Sequence, residues 1–207
     1  MQRLESAVQK RIPQARLVPT QIGSLTLSLL QPDFPRAPLD PQVAQAVWDS
    51  PPYWAFCWPG GGYLSQWLPT QPCPGVVVDL GCGSGVLSIA LTQAGWKVWA
   101  VDSDPEARLA SQCNARANGV EFPIVASLEE IQGPVDLLVL ADFLYDPANL
   151  AQIESLAQFC PNLLLADCRL RQPPPGFEGL GEKRWRIVPD LDWGDEFDRI
   201  YLARRRG

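Results

Sequence analysis

The chain has 207 residues, 46% of them hydrophobic, and this length suits one large domain with a buried core but not two ordinary ones. The formal net charge of −6 disfavours nucleic acid as the substrate, because binding to phosphate groups needs clustered lysine and arginine. With no histidine and no Cys-x-x-Cys pair among the six cysteines, zinc-finger sites and all histidine-based catalysis are excluded.

The first 70 residues contain two recognisable elements. Between Ser24 and Leu30 apolar and polar residues alternate, with Leu25, Leu27 and Leu29 on one face, which predicts a short, half-buried strand. Asp40 followed by Pro41 is typical of a helix start, with the aspartate as the N-cap and the proline at the first helical position. In the helix that follows, one face is formed by Val43, Ala44, Val47 and Trp48.

From Val76 onward, apolar runs alternate with amphipathic stretches. The runs predict strands at Val76–Val78, Lys97–Val101, Phe122–Ala126, Val135–Leu140 and Asn162–Ala166. Between them the pattern predicts helices over Val86–Ala94, from Asp104-Pro105 to Asn118-Gly119, and from Asp146-Pro147 to Phe159. Strands that alternate with helices in this way are typical of βαβ units on a parallel sheet.

The end of the chain breaks this rhythm. The pattern predicts two strands with no helix between them, at Arg184–Val188 and Phe197–Ala203. We therefore expect the two strands to be antiparallel. The predicted fold class is therefore α/β, with a doubly wound sheet of seven strands, mostly parallel, ending in an antiparallel pair. We divide the chain into an N-terminal extension, residues 1–70, that packs on the core and covers part of the site, and a core of residues 71–207.

A glycine-rich segment follows the first core strand and opens a helix: Asp79-Leu80-Gly81-Cys82-Gly83-Ser84-Gly85. Its spacing is wrong for the Gly-x-Gly-x-x-Gly dinucleotide fingerprint, since Val86 stands at the third glycine position. The Asp79 carboxylate would oppose a pyrophosphate, whereas it favours the sulfonium and ammonium groups of S-adenosylmethionine (SAM). The string is similar to the SAM-binding motif of class I methyltransferases.

A second acidic position, Asp102, ends the second core strand and is followed by Ser103. A carboxylate at this place accepts hydrogen bonds from ribose hydroxyls. Asp104 competes for the role, but Pro105 after it favours a helix N-cap. Ser127, after the third strand, is either close to the adenine or a plain turn residue.

The acceptor side of the site is predicted from two further stretches. The fourth strand runs into Asp142 and Tyr145, which should point at the crevice beyond the carboxyl ends of the strands. The segment 51–64 carries four aromatic residues in six positions of a predicted loop, and aromatic faces attract cationic ligands. Trp58, beside three glycines, is the preferred site residue. The alternative is that these rings have a structural role and only cover the edge of the sheet.

Taken together, the string Pro-Tyr-Trp-Ala-Phe-x-Trp-Pro-Gly-Gly, the Asp79–Gly85 loop and Asp142-x-x-Tyr145 resemble the electron transfer flavoprotein β-subunit lysine methyltransferases and their bacterial relatives. The resemblance implies the seven-strand methyltransferase fold, SAM as cofactor and methylation of a lysine nitrogen in a protein substrate. Candidate substrates are the electron transfer flavoprotein β subunit and a ribosomal protein. The alternatives are a small-molecule N- or O-methyltransferase of the nicotinamide type and a non-catalytic SAM-fold partner protein.

The resemblance also assigns roles to residues. It implies that Asp142 and Tyr145 are catalytic, and that the cofactor lies against Asp79, Gly81, Cys82, Gly83, Gly85, Asp102, Ser103, Trp58 and Asp142. No metal is expected. Because no apolar run is long enough to span a bilayer and the N-terminus lacks a signal-peptide core, we expect a cytoplasmic protein that does not act at a membrane.

Overall fold

The computed structural model describes residues 2–33, 40–190 and 197–207. The helices in these residues are α1 (Gln2–Arg11), α2 (Pro41–Asp49), α3 (Pro59–Trp67), α4 (Val86–Gln93), α5 (Pro105–Ala117) and α6 (Ile153–Phe159). The strands are β1 (Leu17–Ile22), β2 (Leu25–Leu30), β3 (Val76–Leu80), β4 (Lys97–Val101), β5 (Ile124–Val125), β6 (Leu137–Ala141), β7 (Leu163–Asp167), β8 (Glu178–Arg184) and β9 (Arg199–Arg205). Short 3-10 turns join several of them.

Seven strands form the central sheet, in the order β5-β4-β3-β6-β7-β9-β8. The pairs from β5 to β7 are parallel, while β9 is antiparallel to both β7 and β8. The chain first moves outward from β3 to β4 and β5, then returns to place β6 on the other side of β3. This reversal opens a crevice at the carboxyl ends of β3 and β6, the usual ligand position in such sheets.

The central parallel strands β3, β6 and β7 are mostly apolar on both faces because helices cover both faces of the sheet there. Along β6, Leu138 and Leu140 pack in the cluster that contains α6, whereas Leu137 and Val139 pack in the cluster that contains residues of α3 and α4. Burial on both faces explains why this strand reads as a continuous apolar run rather than as an alternation.

The N-terminal extension adds an outer layer over α4 and α5. Strands β1 and β2 form a hairpin whose leucines pack on α4, and α1 packs on α5. Two asparagines, one in α5 and one at its C-cap, satisfy the backbone of β2. Asn114 Oδ1 accepts from the Ser28 amide at 2.8 Å, and the C-cap residue Asn118 exchanges two hydrogen bonds with Thr26. Asn114 also donates through Nδ2 to the carbonyl of Ser84, in the glycine-rich loop, at 2.9 Å.

All three predicted aspartate caps are confirmed. Asp40, Asp104 and Asp146 each accept a hydrogen bond from the amide two residues later, at 2.8–2.9 Å. The α/β class and the seven-strand sheet are confirmed as well.

The predicted bounds of the last two strands were wrong. The strand predicted at Arg184–Val188 is instead β8, which ends at Arg184, and the strand predicted at Phe197–Ala203 is β9, which begins at Arg199. The chain leaves the sheet after Arg184 because Trp185 packs against α3 and Val188 pairs with Cys57.

The apolar face of α2 is not buried. This helix has no buried residue, and Trp48 is exposed. The apolar positions of α2 follow the helical period, but in the described part of the chain no element covers them completely.

In the described part of the chain, every helix is too short or too polar to cross a bilayer.

Candidate active site

A cavity of about 670 Å³ lies at the carboxyl ends of β3 and β6. It is lined by every site residue predicted from the sequence except Gly85. Gly85 lies outside the lining, at the N-cap of α4 with a left-handed φ of 81°, and a side chain there would collide with Ser111. The fold therefore brings together the predicted cofactor side and the predicted acceptor side, which come from separate stretches of the sequence.

The glycine-rich loop folds back over the end of β4. The amides of Gly81 and Cys82 both donate to the carbonyl of Val101, at 2.8 and 3.0 Å. Gly81 has a φ of 79° and Gly83 a φ of 50°, conformations that disfavour residues with a Cβ. This geometry exposes the backbone of the loop to the cavity. Cys82 is buried beside it, and burial raises the pKa of its thiol, so the thiol is neutral.

Asp79, at the end of β3, is buried and bound to the first turn of α4. Its Oδ2 accepts from the Ser88 hydroxyl at 2.6 Å and from the Ser88 amide at 3.2 Å. Burial raises the pKa of Asp79 to about 6, with the Asp102 carboxylate adding to the shift. Asp79 thus satisfies an amide that the helix leaves unpaired and still lines the cavity.

Asp102 holds the loop from the side of β4. Its Oδ2 accepts from the Gly83 amide at 2.9 Å, and its Oδ1 accepts from the Asp104 amide at 3.0 Å. Each oxygen keeps a lone pair, because an ionised carboxylate offers about four acceptor sites. Burial is the main cause that raises the pKa of Asp102. The neighbouring Ser103 lines the cavity, and its carbonyl accepts from Arg108 at 2.9 Å.

Asp142, directly after β6, joins the sheet to the start of α3. Its Oδ1 accepts from the Gly60 amide and its Oδ2 from the Gly61 amide, both at 2.9 Å, and we call this pair of bonds the Asp142 clasp. The residue has a left-handed φ of 52°. Burial, followed by repulsion from Asp167, raises the pKa of Asp142 to about 7. The sequence did not reveal this contact.

Aromatic rings form one wall of the cavity. Tyr53 lies with its ring centroid 5.6 Å from that of Trp58 and 4.9 Å from that of Tyr145. The indole of Trp58 donates to the carbonyl of Tyr53 at 2.9 Å, which fixes the ring. The predicted loop was partly wrong, since α3 begins at Pro59. Of its aromatics, Trp54 is buried, so it serves the core as well as the cavity.

The cavity carries mostly negative charge. Its lining includes five carboxylate side chains and one guanidinium, namely Asp79, Asp102, Asp104, Glu129, Asp142 and Arg169. Glu129 and Arg169 were not predicted from the sequence, because neither belongs to a local motif. Ser127 also lines the cavity, while Glu130 closes the turn by accepting from the Ser127 amide at 3.2 Å. Such a lining suits a cationic ligand with hydroxyl groups and opposes a pyrophosphate.

Comparison with solved structures agrees with this geometry. The crystal structure of a candidate RNA methyltransferase from Pyrococcus horikoshii superposes with a TM-score of 0.52 at 19% identity, over 70% of this chain and 81% of that one. The fold is that of the seven-strand methyltransferases. A magnesium protoporphyrin IX methyltransferase from Synechocystis, solved with S-adenosylhomocysteine, matches this methyltransferase fold with a TM-score of 0.50 and 22% identity, over 70% of this chain and 81% of that one.

Sequence comparison identifies related methyltransferases by family and by substrate name. The profile of the family described as Ribosomal protein L11 methyltransferase (PrmA) matches residues 66–158. The mouse electron transfer flavoprotein β-subunit lysine methyltransferase is 40% identical over 142 residues, which cover 61% of this chain and 53% of the mouse protein. This chain thus spans about half the length of the curated relatives it matches. The resemblance predicted from the sequence, to seven-strand methyltransferases and to this lysine methyltransferase family, is confirmed.

Proposed function

We propose that this protein transfers a methyl group from SAM to the side-chain nitrogen of a lysine in a protein substrate. The observation that carries the proposal is the cavity itself, in which a carboxylate-bearing glycine loop and an aromatic wall with Asp142 meet across the crevice between β3 and β6. The electron transfer flavoprotein β subunit and ribosomal protein L11 are the candidate substrates that the names of the relatives supply.

The cofactor side of the cavity fits SAM. We propose that Asp102 binds the ribose hydroxyls with its free lone pairs and that Asp79, Gly81, Cys82 and Gly83 lie against the methionine part. Ser103 and Trp58 complete the contact, while Gly85 shapes the loop. When bound, SAM supplies the methyl group and a leaving group already activated by its positive charge.

The acceptor lysine must be neutral when it reacts, because only the neutral amine has a lone pair that can attack the methyl group. At pH 7 a lysine with a reference pKa near 10.4 costs about 4.6 kcal/mol to neutralise. The rings of Tyr53 and Trp58 exclude water and so lower that cost. Asp142 has a pKa raised to about 7 by burial, which suits a group that accepts a proton from the amine at one of its oxygens. We propose that Tyr145, whose ring contacts that of Tyr53, orients the amine.

Asp102→Ala is expected to weaken SAM binding by roughly ten- to a hundredfold, because each lost hydrogen bond to a charged acceptor is worth about 1.5–3 kcal/mol. Isothermal titration calorimetry measures the affinity directly. Asp104→Asn is the matched control, since it changes a neighbouring carboxylate and keeps the cap of α5. A folded Asp102→Ala protein with unchanged affinity would leave Asp102 only the role of holding Gly83.

The transfer itself is tested with methyl-labelled SAM and an extract of the host. We expect a discrete labelled protein band that is lost with Tyr145→Ala and retained with Trp48→Ala, an exposed aromatic outside the cavity lining. Label confined to small molecules would replace the proposal with a small-molecule methyltransferase. SAM binding without any label would support the non-catalytic alternative.

A further inference from the structure

Exposed apolar side chains gather at the mouth of the cavity. Among the described residues, five large apolar side chains are exposed; three of them line the cavity, and a fourth follows a lining residue in the sequence. Tyr53, Tyr145 and Phe159 line the cavity, and Leu150 follows the lining residue Asn149. The exposed fractions are 38% for Tyr53, 49% for Tyr145, 53% for Leu150 and 41% for Phe159. We call these four residues the mouth surface.

The mouth surface does not belong to the folding core. Its residues come from two separate regions, the turn before α3 and the segment from Tyr145 to the end of α6, which meet where Tyr53 contacts Tyr145. Exposing such side chains together does not stabilise a fold, so a cluster of them beside a site marks a place where another molecule binds. A small acceptor inside the cavity would leave Leu150, which is outside the lining, uncovered.

Carboxylates lie beside Tyr145 and on the cavity lining next to this surface. Tyr145 lies close enough to Asp102, Asp104 and Asp146 for their charges to raise the pKa of its hydroxyl, after burial and together with Tyr53. Glu129 is exposed on the cavity lining. The guanidinium of Arg108 lies beside this rim, but it is bound to the carbonyls of Asp102 and Ser103. The rim therefore attracts positive charge and repels phosphate and carboxylate groups.

We propose that the mouth surface is the docking surface for a basic segment of a protein, in which the acceptor lysine is flanked by arginine or lysine and by large apolar residues. This inference rests on the proposed function, which supplies the acceptor amine, and it adds the chemistry of the flanking sequence. The apolar flanks cover Leu150 and Phe159, while the basic flanks face the carboxylate rim. An acidic segment or a nucleic acid strand meets repulsion at the same place.

The test uses three fluorescently labelled synthetic peptides and the full chain with S-adenosylhomocysteine present. The first peptide has one lysine among leucine, phenylalanine and arginine residues. The second replaces the arginines with glutamate, and the third replaces the apolar residues with serine. Fluorescence anisotropy gives the Kd of each. We expect the first peptide to bind at least about tenfold more tightly than either of the others, and its affinity to fall with added salt.

Matched variants assign the binding to this surface. Leu150→Ser combined with Phe159→Ser is expected to weaken binding of the first peptide by about tenfold, whereas Trp48→Ser, an exposed aromatic on α2, leaves it unchanged. Thermal unfolding verifies that the variants are folded. Equal Kd values for the three peptides, or an equal loss with Trp48→Ser, would overturn the docking surface.

Failure of this inference and failure of the proposed function give different results. Peptide binding is measured without methyl transfer, and transfer is measured separately in the extract. If the first peptide binds selectively but no protein is labelled, the docking surface is supported and the proposed methyl transfer is contradicted. If a protein band is labelled but the three peptides bind equally, the proposed methyl transfer is supported and the docking surface is contradicted.

Discussion

Replacing Asp142 with alanine is expected to lower the free energy of unfolding by about 3 kcal/mol and to abolish methyl transfer. The substitution removes the Asp142 clasp and leaves the amides of Gly60 and Gly61 without their acceptor. A buried donor left unpaired costs about 1–3 kcal/mol. Part of this loss is offset, because the buried carboxylate, with a pKa raised to about 7, is itself costly to desolvate. Urea denaturation measures the stability, and labelled SAM measures transfer.

Two further variants separate the causes of this loss. Asp142→Gly also removes the clasp but suits the left-handed φ of 52°, so it should be more stable than Asp142→Ala by about 1 kcal/mol. Asp146→Ala removes the cap of the 3-10 turn Pro147–Gln152, the bond that its carboxylate accepts from the Ala148 amide, and should cost about 1 kcal/mol. If Asp142→Ala costs no more than Asp146→Ala, the clasp does not hold α3 in place.

Gly60→Ala is expected to destabilise the protein by about 3 kcal/mol, although alanine is the better helix former by about 1 kcal/mol. A Cβ at Gly60 would overlap the backbone carbonyl of Ala166 and lie 2.8 Å from Asp142 Oδ2. Neither atom can move without disturbing β7 or the clasp. Thermal or urea unfolding measures the change in the free energy of unfolding. A decrease indicates the clash, whereas an increase indicates that the helix propensity of alanine dominates.

Gly61→Ala is the matched control, one position along the same helix. A Cβ there meets the Val86 side chain at 3.3 Å and stays 3.9 Å from Asp142 Oδ2. We expect its stability to lie within about 1 kcal/mol of that of the natural protein. Equal destabilisation by the two alanines would mean that α3 tolerates no side chain at its start, and would contradict a clash specific to Gly60.

Local signals predicted the core of the fold well. The caps at Asp40, Asp104 and Asp146 depend on residues two positions apart, so the sequence shows both partners. The buried parallel strands are apolar on both faces, which makes β6 and β7 easy to find. The glycine loop joins a strand directly to a helix, and its spacing indicates the ligand class.

Elements without a hydrophobic pattern were missed. Strand β1 contains Pro19, which is tolerated because β1 pairs on one side only, with β2. Strand β8, at the edge of the sheet, is exposed along nearly its whole length and therefore shows no alternation. The start of α3 looked like a loop, since three consecutive glycines disfavour a helix. The close neighbours of Gly60 and Gly62, namely Ala166, Asp142 and Trp185, are distant in the sequence.

The side chain of Asn114 links the outer hairpin to the cavity through one amide group, which accepts from Ser28 on one side and donates to Ser84 on the other. Because binding free energies are reciprocal, a ligand that orders the glycine loop strengthens the attachment of the hairpin by the same amount that the hairpin strengthens ligand binding. We therefore expect residues 17–30, which do not line the cavity, to contribute to its affinity for a ligand. A truncated core of residues 71–207 would lose that contribution together with the aromatic wall.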